Sequence, residues 1–321
     1  MMRVGLLMMM LALVVLPAAA QLPTSVDEFA ESLDMWDDPE SVALLFLTAV
    51  YVYTYADQDL GADLLDLILI DCSLEYDMPI LAAALDETPW VFDSYVEGTS
   101  PGNGYAGIDP DDFSIDVWST ETITPTALVD SDLALVYLTS TGADQARPLI
   151  LKDVEGAWRV ASATPLVAGV KSADGNPGVD IAGTATPDGV AHMFFEGAYL
   201  YSMGIVDEGR YLLETILSPD GHATDIDKLL DVVEEKPINV WAYAQGNSPE
   251  SGYLDFDPFA FRVNITRSDT IREDLIKYFI DCTGAESTRP FQCHLTRRGQ
   301  LRMYEFSSLR LDVQPPTVER W

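Results

Sequence analysis

Basic side chains are scarce in this chain. Eighteen lysines and arginines stand against 52 aspartates and glutamates over 321 residues, a formal net charge of −34. That shortage excludes a nucleic-acid-binding surface and an anionic-membrane surface, because both need basic stripes that displace counterions. Histidine and cysteine are each present only three times. With no C-x-x-C and no H-x-x-x-H pair, zinc and haem lack their usual ligand sets. No glycine-rich phosphate loop is written anywhere. Beyond the first twenty residues no apolar run approaches the length that spans a bilayer. What is plentiful is apolar side chain, 48% of the chain, so an acidic disordered tail is excluded too and real cores can form.

The N-terminal twenty residues read as a secretory signal. A short positive start (Met1–Arg3) leads into an apolar run over residues 4–16, and Pro17-Ala18-Ala19-Ala20 supplies small residues for a peptidase. Cleavage is expected near Ala20, with the mature protein secreted, periplasmic or held in the cell envelope and carrying no transmembrane segment. The acidity is uneven: residues 1–180 hold 30 acids and 5 bases, residues 181–321 hold 22 and 13. Such a surface keeps a protein soluble, suits high salt or attracts cations.

The rest of the chain is one sequence written twice. SVALLFLTAVYVY at 41–53 returns as GVAHMFFEGAYLY at 189–201, and GTSPGNGY at 98–105 returns as GNSPESGY at 246–253. TGADQARP at 141–148 returns as TGAESTRP at 283–290. The expected organisation is therefore a signal peptide over 1–20, a first repeat domain over 21–170, a linker over 171–188, a second repeat domain over 189–315 and a tail over 316–321. The linker is rich in Gly, Pro and Ala and has no period.

Each copy reads as helices first and strands after, an α+β class in which N-terminal helices pack on a curved antiparallel sheet of about five strands, in the manner of NTF2-like or cystatin-like cones. Helices are expected over 25–33, 41–55 and 61–71, with a loop over 57–60, and in the second copy over 189–203 and 209–217. Period-two alternation places strands over 90–96, 113–118, 133–139, 148–154 and 158–164, then over 238–244, 261–265, 275–280, 290–296 and 301–306.

The two repeated loops are the candidate sites. Ser-Pro-x-x-Gly-Tyr and Thr-Gly-Ala-acid-x-x-Arg-Pro are rich in turn formers, so turn chemistry alone accounts for their repetition. Asp144 with Arg147, and Glu286 with Arg289, have the spacing to pair inside the second turn. The functional reading is a binding rim in which Tyr105, Arg147, Tyr253 and Arg289 present aromatic faces and cations. Gly98-Thr99-Ser100-Pro101-Gly102 fits the G-x-S-x-G pattern but fails its physics. The residue after a nucleophile elbow must donate its N–H to the oxyanion, and Pro101 has none. His192, His222 and His294 show no catalytic arrangement. Asp109, Asp111 and Asp112, with Asp116 nearby and Asp255 and Asp257 in the second copy, form a weak calcium candidate set; no other cofactor is implied. The Asp57-x-Asp59-x-Gly61-x-Asp63 run misses the EF-hand register. Cys282 and Cys293 flank the second Thr-Gly-Ala loop and make a candidate cross-hairpin disulfide, which an exported protein allows. Cys72 is then left over and reads as a buried thiol.

The Ser-Pro-x-x-Gly-Tyr segment, the Thr-Gly-Ala-Asp-x-x-Arg-Pro turn and the strand Ala157-Trp158-Arg159-Val160 ending near Pro165-Leu166 together resemble a bacterial domain family of unknown function found in exported proteins. The second copy departs from the pattern, with Leu301 for the tryptophan and Glu286 for the aspartate. The resemblance brings no activity and no site residues with it. The residues themselves favour a non-enzymatic binding or interaction module with a protein or cell-envelope partner. The alternatives are a small-ligand carrier or enzyme with a pocket between helices and sheet, and a structural envelope protein.

Overall fold

The computed structural model describes residues 22–35, 38–70, 78–123, 132–167, 170–171, 186–218, 221, 226–253, 262–296 and 299–317, without the side chains of residues 79, 80, 83, 86, 87 and 208. The expectations for residues 1–20, Cys72, His222, Asp255, Asp257 and residues 172–185 fall outside these.

The first copy opens with α1 (Val26–Met35) and α2 (Pro39–Tyr51). Asp38 caps α2 by accepting from Ser41 N at 2.9 Å, and Pro39 supplies the preset first turn. Every side chain from Val42 to Val50 is buried, as its all-round apolarity demands. A widened turn, Val52–Ala56, joins it to α3 (Gln58–Ile68), capped by Asp57. The loop expected over 57–60 is thus the first turn of that helix. Gly61 is where α3 touches the preceding turn: a Cβ there would stand 2.2 Å from Tyr53 Cα. Then come α4 (Met78–Glu87) and α5 (Trp90–Asp93). Four strands follow, β1 (Val117–Ile123), β2 (Leu133–Leu138), β3 (Arg147–Val154) and β4 (Ala157–Ser162), paired antiparallel in sequence order, and a last turn of helix, α6 (Thr164–Val167).

The second copy repeats this plan: α7 (Pro187–Ser202), α8 (Val206–Ile216), α9 (Ile226–Glu235), α10 (Ile238–Trp241), then β5 (Ile265–Arg272), β6 (Leu275–Ile280), β7 (Arg289–Leu295) and β8 (Leu301–Glu305), again antiparallel in order. Gly209 repeats the close helix contact, with its Cβ position 2.4 Å from Tyr201 N. The chain is α+β in two tandem halves.

Two expected strands are helical turns instead. Residues 90–96 and 238–244 follow Pro89 and Pro237, whose fixed φ starts a turn, and the backbone closes on itself: Phe92 N donates to Pro89 O and Ser94 N to Trp90 O, both at 3.1 Å. Their side chains are buried on nearly all sides, so the apolar run carries no period that separates strand from helix. Each described sheet therefore has four strands rather than five. The strands expected over 113–118 and 261–265 start later than alternation suggests, at Val117 and Ile265, because β1 and β5 are edge strands whose polar faces look like loop. Helices α4 and α9 were not expected; in α9 the buried set Leu229, Leu230 and Val233 is the signal that marks it.

The alternation of the first sheet serves two cores. Ala134, Val136, Leu138, Leu149 and Leu151 face the helices of their own copy. Leu133, Leu135, Ile150 and Ala161 face the other way and join the core of the second copy, with Phe195, Tyr199 and Leu212 of α7 and α8. The first sheet is thus a shared wall, and burying a Leu or Ile there contributes about 1.5–3 kcal/mol. The space between α2 and the first sheet is filled by side chains such as Val42, Phe46 and Val160.

Candidate functional site

The repeated loops meet each other in both copies. Ser100 accepts from Asn103 N at 3.3 Å while Asn103 Oδ1 accepts from Ser100 N at 2.9 Å, a reciprocal cap that closes the Ser-Pro turn. The turn delivers Tyr105 at φ 57° and Tyr253 at φ 60°, a left-handed conformation that costs a bulky residue about 1–3 kcal/mol and persists only where packing enforces it. Tyr105 stacks on Trp90 with ring centroids 5.6 Å apart, and its hydroxyl donates to Lys171 O. Tyr253 donates to Gln314 O at 2.7 Å. The Thr-Gly-Ala turn lies directly behind: a Cβ on Gly142 would sit 2.3 Å from the Tyr105 hydroxyl, and one on Gly284 2.0 Å from that of Tyr253. The carbonyls of those glycines hold the same departing segments, from Lys171 N at 2.9 Å and Gln314 N at 2.7 Å. The two motifs form one clasp that grips the chain as it leaves each copy.

This corrects the rim reading for two of its four residues. Tyr105 and Tyr253 are buried, at 2% and 0% exposure, with their hydroxyls spent on main-chain carbonyls. The pairing inside the second turn also differs from expectation. Asp144 binds Lys171 at 2.6 Å, and that hydrogen bond holds its carboxyl below the usual range. Arg289 donates through Nη2 to Asp312 O at 3.2 Å. Arg147 turns away from its own turn and lies 4.7 Å over the ring of Tyr211, on α8 of the other copy.

That contact lies in the wall of a cleft of about 1120 Å³ between the copies. One wall is the sheet of the first copy, through Trp118, Tyr137, Thr139 and Arg147; the other is the α7–α8 turn and α8, through Met203, Ile205, Arg210 and Tyr211. Trp118 is 76% exposed. Arg210 is neutralised by Glu214 at 2.8 Å and Asp227 at 3.0 Å. Thr139 Oγ1 and Arg147 Nε are buried without a hydrogen-bond partner.

Behind the cleft, the same seam holds a buried acid. Glu196 and His192, one turn apart on α7, are 1% and 4% exposed, with Nε2 and Oε2 3.9 Å apart. Burial pushes the Glu196 carboxyl up to about 7, against the opposing pull of the Ser162 hydroxyl on β4 of the first copy. Neither carboxylate oxygen has a well-formed hydrogen bond.

The remaining candidates are spread apart. Asp109, Asp111 and Asp112 are exposed, and Asp109 Oδ1 accepts from Asp111 N at 3.0 Å, so that carboxylate is used to form the turn. Among the described residues no group of three or more His, Cys, Asp or Glu is gathered to hold a metal ion. Cys282 and Cys293 are free and buried. Cys293 stands opposite Ile276 in β6, whereas Cys282 lies two residues past the end of that strand, so the cross-hairpin placement expected of the pair is not the register found. Burial raises both thiols.

Sequence reasoning singled out Arg147 and missed Tyr211, Trp118 and Glu196. The signal that marks two of them is disagreement between copies: Tyr211 stands where the first copy has Asp63, and Glu196 where it has Thr48.

Two segments, residues 21–174 and 178–317, match the model of a family described as a domain of unknown function, DUF6935. The chain belongs to that family, in two copies. No curated protein matches it. No solved structure matches it. Among the described residues no helix is long and apolar enough to cross a membrane.

Proposed function

We propose that this two-copy member of the DUF6935 family is an exported binding module that holds a small ligand in the cleft between its copies and does no chemistry on it. The observation that carries the reading is the cleft itself, about 1120 Å³ with one wall from each copy. Ligand sites concentrate at domain interfaces, where a concave space with a few polar groups survives packing. Among the described residues the lining includes no histidine and no cysteine, which favours binding over catalysis. Export rests on the signal-like residues 1–20. The surplus of acids favours a small molecule or protein partner over nucleic acid.

The test is ligand-induced thermal stabilisation of the mature protein against a broad panel of metabolites and saccharides. Ser119 lines the cleft, so Ser119→Trp should fill it while leaving the fold intact. A ligand at a hundredfold its Kd should stabilise the wild-type protein by about 2.7 kcal/mol and leave the filled variant unmoved. A panel in which nothing binds, or in which the filled variant responds equally, sinks the reading.

A further inference from the structure

The chemistry of the cleft narrows what it holds, given that it is a ligand site. Arg147 and Arg289 occupy the same place in the two Thr-Gly-Ala turns. In both, Nε is buried and unpartnered. They part at the terminal nitrogens. Arg289 spends one on the main chain at Asp312, 3.2 Å away. Among the described residues the Arg147 side chain makes no hydrogen bond and no ion pair; it lies over the face of Tyr211, within electrostatic reach of Asp144 and Tyr95. In a chain with 52 acids and 18 bases, a guanidinium with no carboxylate bonded to it is an anomaly. The acids that could take it are otherwise placed: Asp144 is held by Lys171, and Glu214 by Arg210. Thr139 lines the same cleft, its Oγ1 buried and unpartnered behind that wall.

A planar guanidinium offers parallel donors that match a carboxylate two-for-two, and stacking on a ring fixes its plane. Strand register sets the spacing between the backbones of Arg147 and Trp118. Val117 pairs with Leu138 and Leu138 with Arg147, so Trp118 lies beside a position two strands from Arg147, about 10 Å away at ordinary strand spacing. Leu135, Ile123 and Val206 line the same cleft and make part of its wall apolar. Exposed Glu121 and Asp207 at the rim repel a ligand with further negative charge.

We propose that the cleft binds small monocarboxylates with an apolar or aromatic body, the carboxylate on Arg147 and the body against Trp118. The test is calorimetric titration of the mature protein with phenylacetate, 3-phenylpropionate, octanoate and the dipeptide Ala-Phe, each beside its primary amide, and with phenylphosphonate as a dianion. At least one acid should bind tenfold or more tightly than its amide, and phenylphosphonate should bind more weakly than phenylacetate. Arg147→Met should remove that preference at unchanged thermal stability; should it fail to fold, the acid–amide contrast on the wild-type protein decides alone. Amides binding as tightly as acids, or an acid preference that survives in Arg147→Met, would overturn the proposal. Neutral compounds binding where no carboxylate does would overturn it while leaving the cleft a ligand site, and a cleft that takes nothing strikes both.

Discussion

The two sheets have one topology and opposite circumstances. In the first, Leu135 pairs with Ile150 on the face that meets the second copy. In the second, the same places in the register are Lys277 and Gln292. Ala161 is answered by Tyr304 and Ser162 by Glu305. One sheet is apolar on both faces because it lies between two sets of helices; the other turns a polar face outward. Repeat arrays need a terminal unit with a polar outer face to stay soluble, and the second copy is built as that terminal unit. The copies are therefore not interchangeable, although their backbones nearly are.

Exchanging the marker residues should break the comparison most sharply. Leu135→Lys places an unpaired charge in the seam and is expected to cost about 4 kcal/mol in urea denaturation. The reverse change, Lys277→Leu, should cost less than about 0.5 kcal/mol and instead promote self-association, visible by sedimentation. Equal effects at both positions would show that the second outer face is covered after all.

The clasp should behave alike in both copies, because it is shared. Gly142→Ala and Gly284→Ala each drive a methyl group into a tyrosine hydroxyl and should cost about 2–3 kcal/mol. Adding Tyr105→Phe to the first should return part of that cost, a coupling that a double-mutant cycle measures. A cycle with no coupling would remove the tyrosine from the account.

A last difference concerns the buried acid, which the first copy replaces by Thr48. Glu196 has its folded carboxyl raised from 4.5 to about 7, so the folded state binds more protons than the unfolded state between those values. Stability from this group is full below pH 4.5 and is lost as pH rises through 7. Glu196→Gln should flatten that slope and leave the protein more stable at pH 8, read as melting temperature against pH. Asp93 in the first copy, raised to about 6 by burial against a 2.5 Å hydrogen bond from Tyr55, leaves a residual slope of the same sign. An unchanged profile would mean that Glu196 is solvated.

The duplication, the helix starts at Asp38-Pro39 and Pro187-Asp188, and strands such as β6 were legible because local pattern decides them. The seam was not. Leu133 and Leu135 alternate with Ala134 and Val136 as an all-apolar run, which says that both faces are covered without saying that the second cover comes from residues 187–216. The tyrosine loops were legible as motifs but not as a clasp, since their contact with Gly142 and Gly284 joins segments distant in sequence. The cleft was hidden for the same reason: its walls come from both copies, and Arg147 and Tyr211 are brought together only by the docking.

The clasp at Lys171 and the cap at Thr186 fix the two ends of one covalent tether across the seam. Because that tether is short, each copy meets the other at an effective concentration in the millimolar range, and docking is a first-order event. One peptide bond cut between Lys171 and Thr186 would make it second-order. The nicked halves would then part on dilution, and a ligand gripped by both walls would hold them together, so the site would act as its own molecular glue.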